Sequence, residues 1–383
     1  MDRRNLTVNG LAVPADVREA ARHAMAVAAQ KVDRLVTRHP DFLPLFTKNG
    51  KWKHDDEPWT NWCEGFPPGM MWIFERQVSS VAWLPRAVHY SELLRGREYD
   101  RDVHDLGFTF WPSWRAWFLK TGDQDIDDVV VQAGQTMGLR FHEKAGFLRS
   151  FLAPDSTFID IMMNVGIIYH AAQQTGDAEL LRTVQTHCLN TRRFLVRGDG
   201  STSHEGIFDP ETGEFLRQST QQGYRNDSSW ARGQAWALYG FGTAFAFTGD
   251  ERFLRTAQAC ADFFIEQTGD RFVPPNDWAE PSPARPYESS AAAIAASGLL
   301  QLSALVEPDL ADRYTAYAFD IVRTLSGPRF LASSDHEWDA ILKHGSYHET
   351  KNLGVDESVM WGEYFFVESL DKVLGGPLLS TQR

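Results

Sequence analysis

The chain has 383 residues, 43% of them hydrophobic and 23% charged, an ordinary globular composition on a chain longer than the usual single core. A net charge of −13 argues against nucleic acid and anionic membranes as partners, because both reward basic surfaces. The first residues lack the apolar stretch of a secretory signal, no run of 18 apolar residues could span a bilayer, and Cys63, Cys188 and Cys260 lack metal-ligand spacing; a cytoplasmic protein with reduced thiols is expected.

Helical periodicity predicts helices over 15–38, 69–94, 111–121, 127–142, 157–175, 178–195, 232–248, 251–267, 288–305, 308–325 and 357–374. Three helix ends share one tripeptide, Thr121-Gly-Asp, Thr175-Gly-Asp and Thr248-Gly-Asp. Glycine closes the first helix in a left-handed cap and aspartate caps the next. The run Ala291-Ala-Ala-Ile-Ala-Ala-Ser-Gly is small and apolar on nearly every side, which suits a helix buried at a close contact. Strand-like segments are few, at 147–151, 206–215 and 341–346, and Asp209-Pro-Glu-Thr-Gly-Glu has the composition of a hairpin turn. No linker or charge block divides residues 1–383. The expected fold is all-α, a single toroid of antiparallel helix pairs with short β-hairpin loops.

Two aspartates sit in aromatic and apolar surroundings. His104-Asp-Leu-Gly-Phe-Thr-Phe-Trp places Asp105 in a turn before a helix, as either a loop-bonding group or a carboxylate in a cleft of low dielectric. In Asp155-Ser-Thr-Phe-Ile-Asp-Ile-Met-Met-Asn, Asp155 or Ser156 is the natural helix cap and Asp160 falls in the early turns, beside Ile159, Ile161, Met162 and Met163. Apolar neighbours raise a carboxyl pKa, which suits a proton donor near neutrality; a helix N-terminus works the other way. Bonding to a neighbouring loop is the plain alternative.

The segment Asp227-Ser-Ser-Trp-Ala-Arg-Gly-Gln-Ala-Trp sets Arg232, Gln234 and Trp236 at alternate positions beside Trp230. An arginine fork binds carboxylates in two-pronged fashion, and an indole face packs on a sugar ring, so this segment suggests a pocket for an acidic sugar. Trp59-Thr-Asn-Trp-Cys-Glu-Gly-Phe is either an aromatic cleft wall or a patch of core. His204 and Gln222 lie in polar loops and say little alone. No zinc motif, phosphate loop or dinucleotide fingerprint occurs, so no metal or nucleotide cofactor is expected.

Taken in order, these segments resemble glycoside hydrolase family 88, the unsaturated glucuronyl hydrolases, over roughly residues 40–375. The segments that carry the resemblance are 59–70, His104-Asp-Leu-Gly-Phe, Phe158-Ile-Asp-Ile-Met-Met-Asn, 201–204 with Phe208-Asp-Pro-Glu-Thr-Gly, Gln222-Gly-Tyr, Ser229-Trp-Ala-Arg-Gly-Gln-Ala-Trp, Tyr287-Glu-Ser-Ser-Ala-Ala and Met360-Trp-Gly-Glu-Tyr. The resemblance implies an (α/α)6 barrel that removes a Δ4,5-unsaturated uronic acid from the non-reducing end of lyase-generated oligosaccharides. It implies Asp160 as general acid/base and Asp105 as the second essential carboxylate. His204, Gln222, Arg232 and Trp236 would line the unsaturated sugar, with Trp59 as a wall.

Some members of the family bind sulfated ends through a Ser-x-x-Ser-x-Lys pattern. The corresponding stretch here, Ser346-Tyr-His-Glu-Thr-Lys351, keeps Ser346 and Lys351 but has Glu349 for the middle serine, and a carboxylate there repels sulfate. Two other readings stand beside this one. The first is an unsaturated rhamnogalacturonyl hydrolase of the same fold. The second is a non-catalytic uronate-binding toroid, which would have no need of Asp160 and Asp105 together.

Overall fold

The computed structural model describes residues 7–53, 61–281, 287–333 and 335–379. Its helices run in chain order as α1 (Ala15–Arg38), α2 (Phe66–Gln77), α3 (Trp83–Glu92), α4 (Leu106–Phe110), α5 (Ala116–Thr121), α6 (Gln124–Gly138), α7 (Val165–Thr175), α8 (Ala178–Leu195), α9 (Ala231–Thr248), α10 (Glu251–Thr268), α11 (Ser289–Ser303), α12 (Pro308–Leu325) and α13 (Met360–Val373). An inner ring of α2, the α4–α5 segment, α7, α9, α11 and α13 is wrapped by α1, α3, α6, α8, α10 and α12, and α13 closes onto α2. This is the expected (α/α)6 barrel. Every residue of α11 is buried, whereas α10 and α12 each bury one face. An inner helix has neighbours on all sides, so its sequence is apolar all round.

The three Thr-Gly-Asp stops behave as expected. Gly122, Gly176 and Gly249 take φ of 69°, 68° and 69°. The carboxylates of Asp123, Asp177 and Asp250 accept backbone N–H groups of the following helices. The Asp209 carboxylate likewise accepts the N–H groups of Glu211 and Thr212, at 2.8 Å each. That turn joins strands Glu205–Phe208 and Phe215–Ser219.

Four expected helices differ; the one over 127–142 is α6, Gln124–Gly138, and Phe141–His142 pairs as a strand with Phe147–Leu148. The helix over 69–94 is two, α2 and α3, separated at 78–82. There the Ser80 hydroxyl accepts the Ala82 N–H at 3.3 Å, a local bond that competes with the helical ladder. The helix over 111–121 begins earlier, at Leu106, and passes through a π turn at Trp111–Arg115.

The helix over 157–175 departs most. Ser156–Phe158 is a strand paired antiparallel with Glu205–Phe208, Ile159–Met163 is a 3₁₀ turn, and the α-helix starts only at Val165. Ser156 therefore caps nothing. Sheet pairing overrides the helical period, and the bond from Ile159 N–H to the His204 carbonyl, 2.9 Å, fixes Asp160 beside the loop that carries His204.

Helix α9 backs directly onto that turn. A Cβ added at Gly240 would lie 2.5 Å from the Met162 carbonyl oxygen. Gly240→Ala forces the helix and the turn apart, at an expected cost of about 1–3 kcal/mol. Urea unfolding of the variant measures this, and an unchanged midpoint would show that the contact is slack.

Candidate active site

The loops gathered at one end of the barrel enclose a pocket of about 670 Å³, lined by Asp105, Asp160, Gln222, Arg232 and Lys351 among others. Residues from Trp62 to Lys351, 289 positions apart in the chain, thus face one cavity. His204 stands immediately behind, with its Nε2 3.6 Å from Asp160 Oδ2. Trp59 lies outside the described residues.

Each carboxylate faces a histidine whose tautomer is fixed. His204 Nδ1 accepts the Gln221 N–H at 3.1 Å, and His104 Nδ1 accepts the Phe151 N–H at 2.9 Å. A ring nitrogen that accepts carries no proton, so each neutral ring bears its hydrogen on Nε2. Those Nε2–H groups look onto Asp160 at 3.6 Å and onto Asp105 Oδ2 at 3.4 Å. Burial holds both rings uncharged, His204 down at about 3 and His104 well below the usual histidine range.

Burial also raises both carboxyls. Asp160 is pushed up to about 6, with the Arg232 charge holding it from rising further. Asp105 stands well above the usual carboxylate range, raised by burial and then by the charge of Asp160. Asn164 ties the two segments together. Its Nδ2 donates to Asp105 Oδ1 and to the Asp160 carbonyl, both at 3.3 Å, while its Oδ1 accepts the Phe108 N–H at 2.8 Å. Both carboxyls are therefore held above the usual carboxylate range, and Asp160, near 6, is poised to exchange its proton, a pairing suited to acid–base chemistry.

Arg232 is 1% exposed, and its terminal nitrogens are engaged by the protein. They donate to the carbonyls of Ser346 and Tyr347 and to Gln222 Oε1, the last at 2.5 Å. Its guanidinium lies over the rings of Trp230 and Trp361, 4.2 and 4.9 Å from their centroids. The expected fork is only partly open: Arg232 is a charge fixed at the pocket wall, with three of its five N–H groups taken by the Ser346 and Tyr347 carbonyls and by Gln222. Glu288, 4.0 Å away and fully buried, supplies the counter-charge from behind.

Two further expectations are corrected. Trp236 is fully buried and packs on Phe108, ring centroids 5.1 Å apart. It offers no ring face to a sugar, because helix α9 turns it into the core. Its indole N–H faces Asp160 and favours the ionised carboxylate, without meeting hydrogen-bond geometry. Ser346 is also turned inward: its backbone N–H donates to Glu288 at 3.0 Å, and its hydroxyl is buried away from the pocket lining. Gln234 is buried as well, bonded to Thr202, Ser229 and the carbonyls of Gly200 and Cys260. Lys351 does reach the pocket, and beside it stands His348.

Comparison with known proteins now adds to this geometry. The model of Glycosyl Hydrolase Family 88 matches residues 97–247, the stretch holding both carboxylates, His204, Gln222 and Arg232. An unsaturated glucuronyl hydrolase of Bacillus sp. (strain GL1) is 30% identical over 364 residues, covering 92% of this chain and 95% of its own. The chain belongs to glycosyl hydrolase family 88. An unsaturated chondroitin disaccharide hydrolase of Streptococcus agalactiae serotype III (strain NEM316) is 28% identical, over 93% of this chain and 90% of its own. The crystal structure of the unsaturated glucuronyl hydrolase of Bacillus sp. GL1, described as responsible for the degradation of glycosaminoglycan, is 28% identical. It superposes with a TM-score of 0.87 over 95% of this chain and 100% of that one. The protein is therefore a glycosidase. No helix among its described residues is long and apolar enough to cross a membrane.

Sequence reasoning passed over His104, Asn164, His348 and Tyr347. His104 and Asn164 stand inside the segments that carry the family resemblance, one residue before Asp105 and four after Asp160. A polar residue at that distance from a buried carboxyl was the available signal.

The raised pKa of Asp160 has a consequence for stability. Its folded value, about 6, exceeds the ordinary 3.8. The stabilisation tied to this group is thus complete below the ordinary value and is lost as pH rises through about 6. At about pH 7.5 the ionised, buried carboxylate costs up to about 3 kcal/mol. Asp160→Asn removes that cost. The variant is expected to melt several degrees above the parent at about pH 7.5, with the gap closing toward about pH 4. A variant that melts below the parent at the higher pH would contradict the assignment.

Proposed function

We propose that this family 88 hydrolase releases the Δ4,5-unsaturated uronic acid from the non-reducing end of glycosaminoglycan-type disaccharides, such as unsaturated chondroitin or hyaluronan. The observation that carries the proposal is Asp160, a carboxyl held near 6 by burial, facing a pocket that also holds a fixed guanidinium and a second carboxyl raised by burial. The names of its relatives, an unsaturated glucuronyl hydrolase and an unsaturated chondroitin disaccharide hydrolase, support the substrate class. That its three cysteines are buried and form no disulfide supports a cytoplasmic location.

In this reading the chemistry is hydration. The C4=C5 bond and the ring oxygen form a vinyl ether. Asp160 gives its proton to C4, and positive charge develops at C5, shared with the ring oxygen. Water attacks C5 and passes a proton to the Asp160 carboxylate, which restores the acid. The product is a hemiketal at C5. It opens to a ketone, C1 becomes an aldehyde, and the glycosidic oxygen leaves with a proton on the departing sugar. One carboxyl thus serves as both acid and base.

The other residues bind and orient. Arg232 attracts the uronate carboxylate through its fixed charge, with Gln222 beside it. The Nε2–H of His204 faces Asp160 from behind. Asp105, its carboxyl raised by burial, holds the ring hydroxyls and helps set the proton state of the site. Lys351 reaches the next sugar from the rim. Trp236 and Ser346 act from behind the wall, as their burial requires. The Glu349 substitution, together with the inward-facing Ser346 hydroxyl, speaks against the sulfate recognition pattern of the 346–351 stretch.

Loss of the ultraviolet absorbance of the conjugated C4=C5 bond tests the reaction directly. Unsaturated disaccharides from hyaluronan, chondroitin, heparin and rhamnogalacturonan form the panel. Loss is expected on an unsulfated glycosaminoglycan disaccharide and is abolished by Asp160→Asn, which binds substrate but has no acidic proton. Turnover by that variant at the parental rate would remove Asp160 from its role, and turnover confined to the rhamnogalacturonan product would move the substrate class. Because the acid form of Asp160 is the active one, kcat/KM should fall about tenfold per pH unit once pH exceeds about 6. A profile flat to about pH 8 would contradict a donor of that pKa.

A further inference from the structure

Beside the main pocket lies a second, shallower one of about 650 Å³, walled by Arg101, Leu139, Arg140, Arg149, Phe151 and Leu152, with Ser150, Ala153 and Pro154 completing its edge. Phe151 and Leu152 line both pockets, so a chain that leaves the first over this strip enters the second. The side pocket combines two features that are seldom placed together without use.

The first feature is charge. Among the described residues, none of the three arginines is ion-paired to a carboxylate. Arg140 is held by backbone carbonyls: Nε donates to Arg149 at 2.9 Å, Nη2 to Ser150 at 2.6 Å, and Nη1 to Arg101. Arg149 Nε donates to the Arg140 carbonyl at 3.0 Å. Carbonyls orient a guanidinium but leave its charge whole. The nearest acids, Asp105, Asp102 and Asp100, act on Arg140 through their fields and not through an ion pair. Asp100 is taken by Arg97 at 2.9 Å, Asp105 belongs to the main pocket, and Asp102 is exposed. In a protein of net charge −13, three guanidiniums at one mouth with no carboxylate in direct contact form a local concentration of positive charge.

The second feature is apolar exposure. Leu139, Phe151 and Leu152 are 56%, 41% and 49% exposed. Exposed apolar side chains clustered beside cationic ones suit a pyranose that bears an anion, with the C–H face on carbon and the anion on the guanidiniums. Burial and the neighbouring Arg149 both press against the charge of Arg140, and a bound anion would relieve that pressure.

We propose that this arginine-walled pocket is a second subsite, which holds an anionic substituent, sulfate or carboxylate, carried by the substrate beyond its unsaturated residue. The proposal rests on the hydrolase reading above and deepens it. It places anion recognition across the Phe151–Leu152 strip, away from the 346–351 stretch where Glu349 opposes it.

The test compares kcat/KM for two substrate pairs in the parent and in an Arg101→Gln/Arg149→Gln variant. One pair is a monosulfated and an unsulfated unsaturated disaccharide. The other is an unsaturated tetrasaccharide with a carboxylate on its third sugar and the disaccharide alone. The ratio within each pair cancels any general loss of activity. The double variant should lower the charged-to-uncharged ratio about tenfold in at least one pair, as expected for lost charge-assisted contacts, and the pair that responds names the anion. Arg101→Glu, at an exposed side chain, serves if the double variant fails to fold. Ratios unchanged within about twofold in both pairs would overturn the subsite. If the parent consumes none of these sugars, the catalytic reading fails by itself. Calorimetric Kd values for the same pairs then decide the subsite, with equal Kd for charged and uncharged members overturning it.

Discussion

The Asp160 carboxyl, its side chain 17% exposed, is largely withdrawn from water by the barrel around it, and that desolvation sets the terms for its neighbours. A buried carboxylate is costly unless something shares its charge. Here three groups do so in part: Arg232 through its field, Trp236 through its indole N–H, and His204 through a hydrogen whose position on the ring is dictated by the Gln221 N–H. None of them forms a tight ion pair with Asp160. A close salt bridge would have driven the pKa down and left a permanent carboxylate. The partial compensation keeps it near 6, where it can give up a proton and regain it.

That balance depends on placement by distant parts of the chain. The turn carrying Asp160 is pinned on one side by the strand pair that links Ser156–Phe158 to Glu205–Phe208, and on the other by Gly240 of α9. Arg232 is aimed by carbonyls of residues more than a hundred positions later. Asn164 bonds to both carboxyl-bearing segments at once. The inner helices and the loops at their ends therefore act as one frame, and an apolar all-round helix such as α11 is the cost of closing that frame with little exposed edge.

The barrel and much of the pocket were legible in the sequence, for identifiable reasons. The Thr-Gly-Asp stops carry their own caps, so the ends of α5, α7 and α9 could be read locally. Asp105, Asp160, Gln222, Arg232 and Lys351 do converge on one cavity. What could not be read depends on partners far along the chain. The strand at Ser156–Phe158 forms only because Glu205–Phe208 lies alongside it, and the helical period of the segment conceals this. Trp236 has the composition of a sugar platform, but its position on α9 turns it inward. The Arg232 fork looks open until Ser346 and Tyr347 arrive from the far end of the chain. His104 was hidden by its ordinary appearance as a lone histidine, and only the Phe151 N–H reveals how its tautomer is set.

The central claim is that two neighbouring carboxyls are both raised by burial, with Asp160 exchanging its proton near neutrality. Infrared difference spectra of the parent against Asp160→Asn and Asp105→Asn, recorded from about pH 4 to about pH 8, test it directly, since protonated and ionised carboxyls absorb apart and each substitution removes one of them. The account predicts that the Asp160 signal passes from acid to carboxylate around pH 6, while the Asp105 signal ionises only above the usual carboxylate range. An Asp160 signal already fully ionised at about pH 4.5 would contradict it, because a carboxylate with an ordinary pKa could not serve as the proton donor.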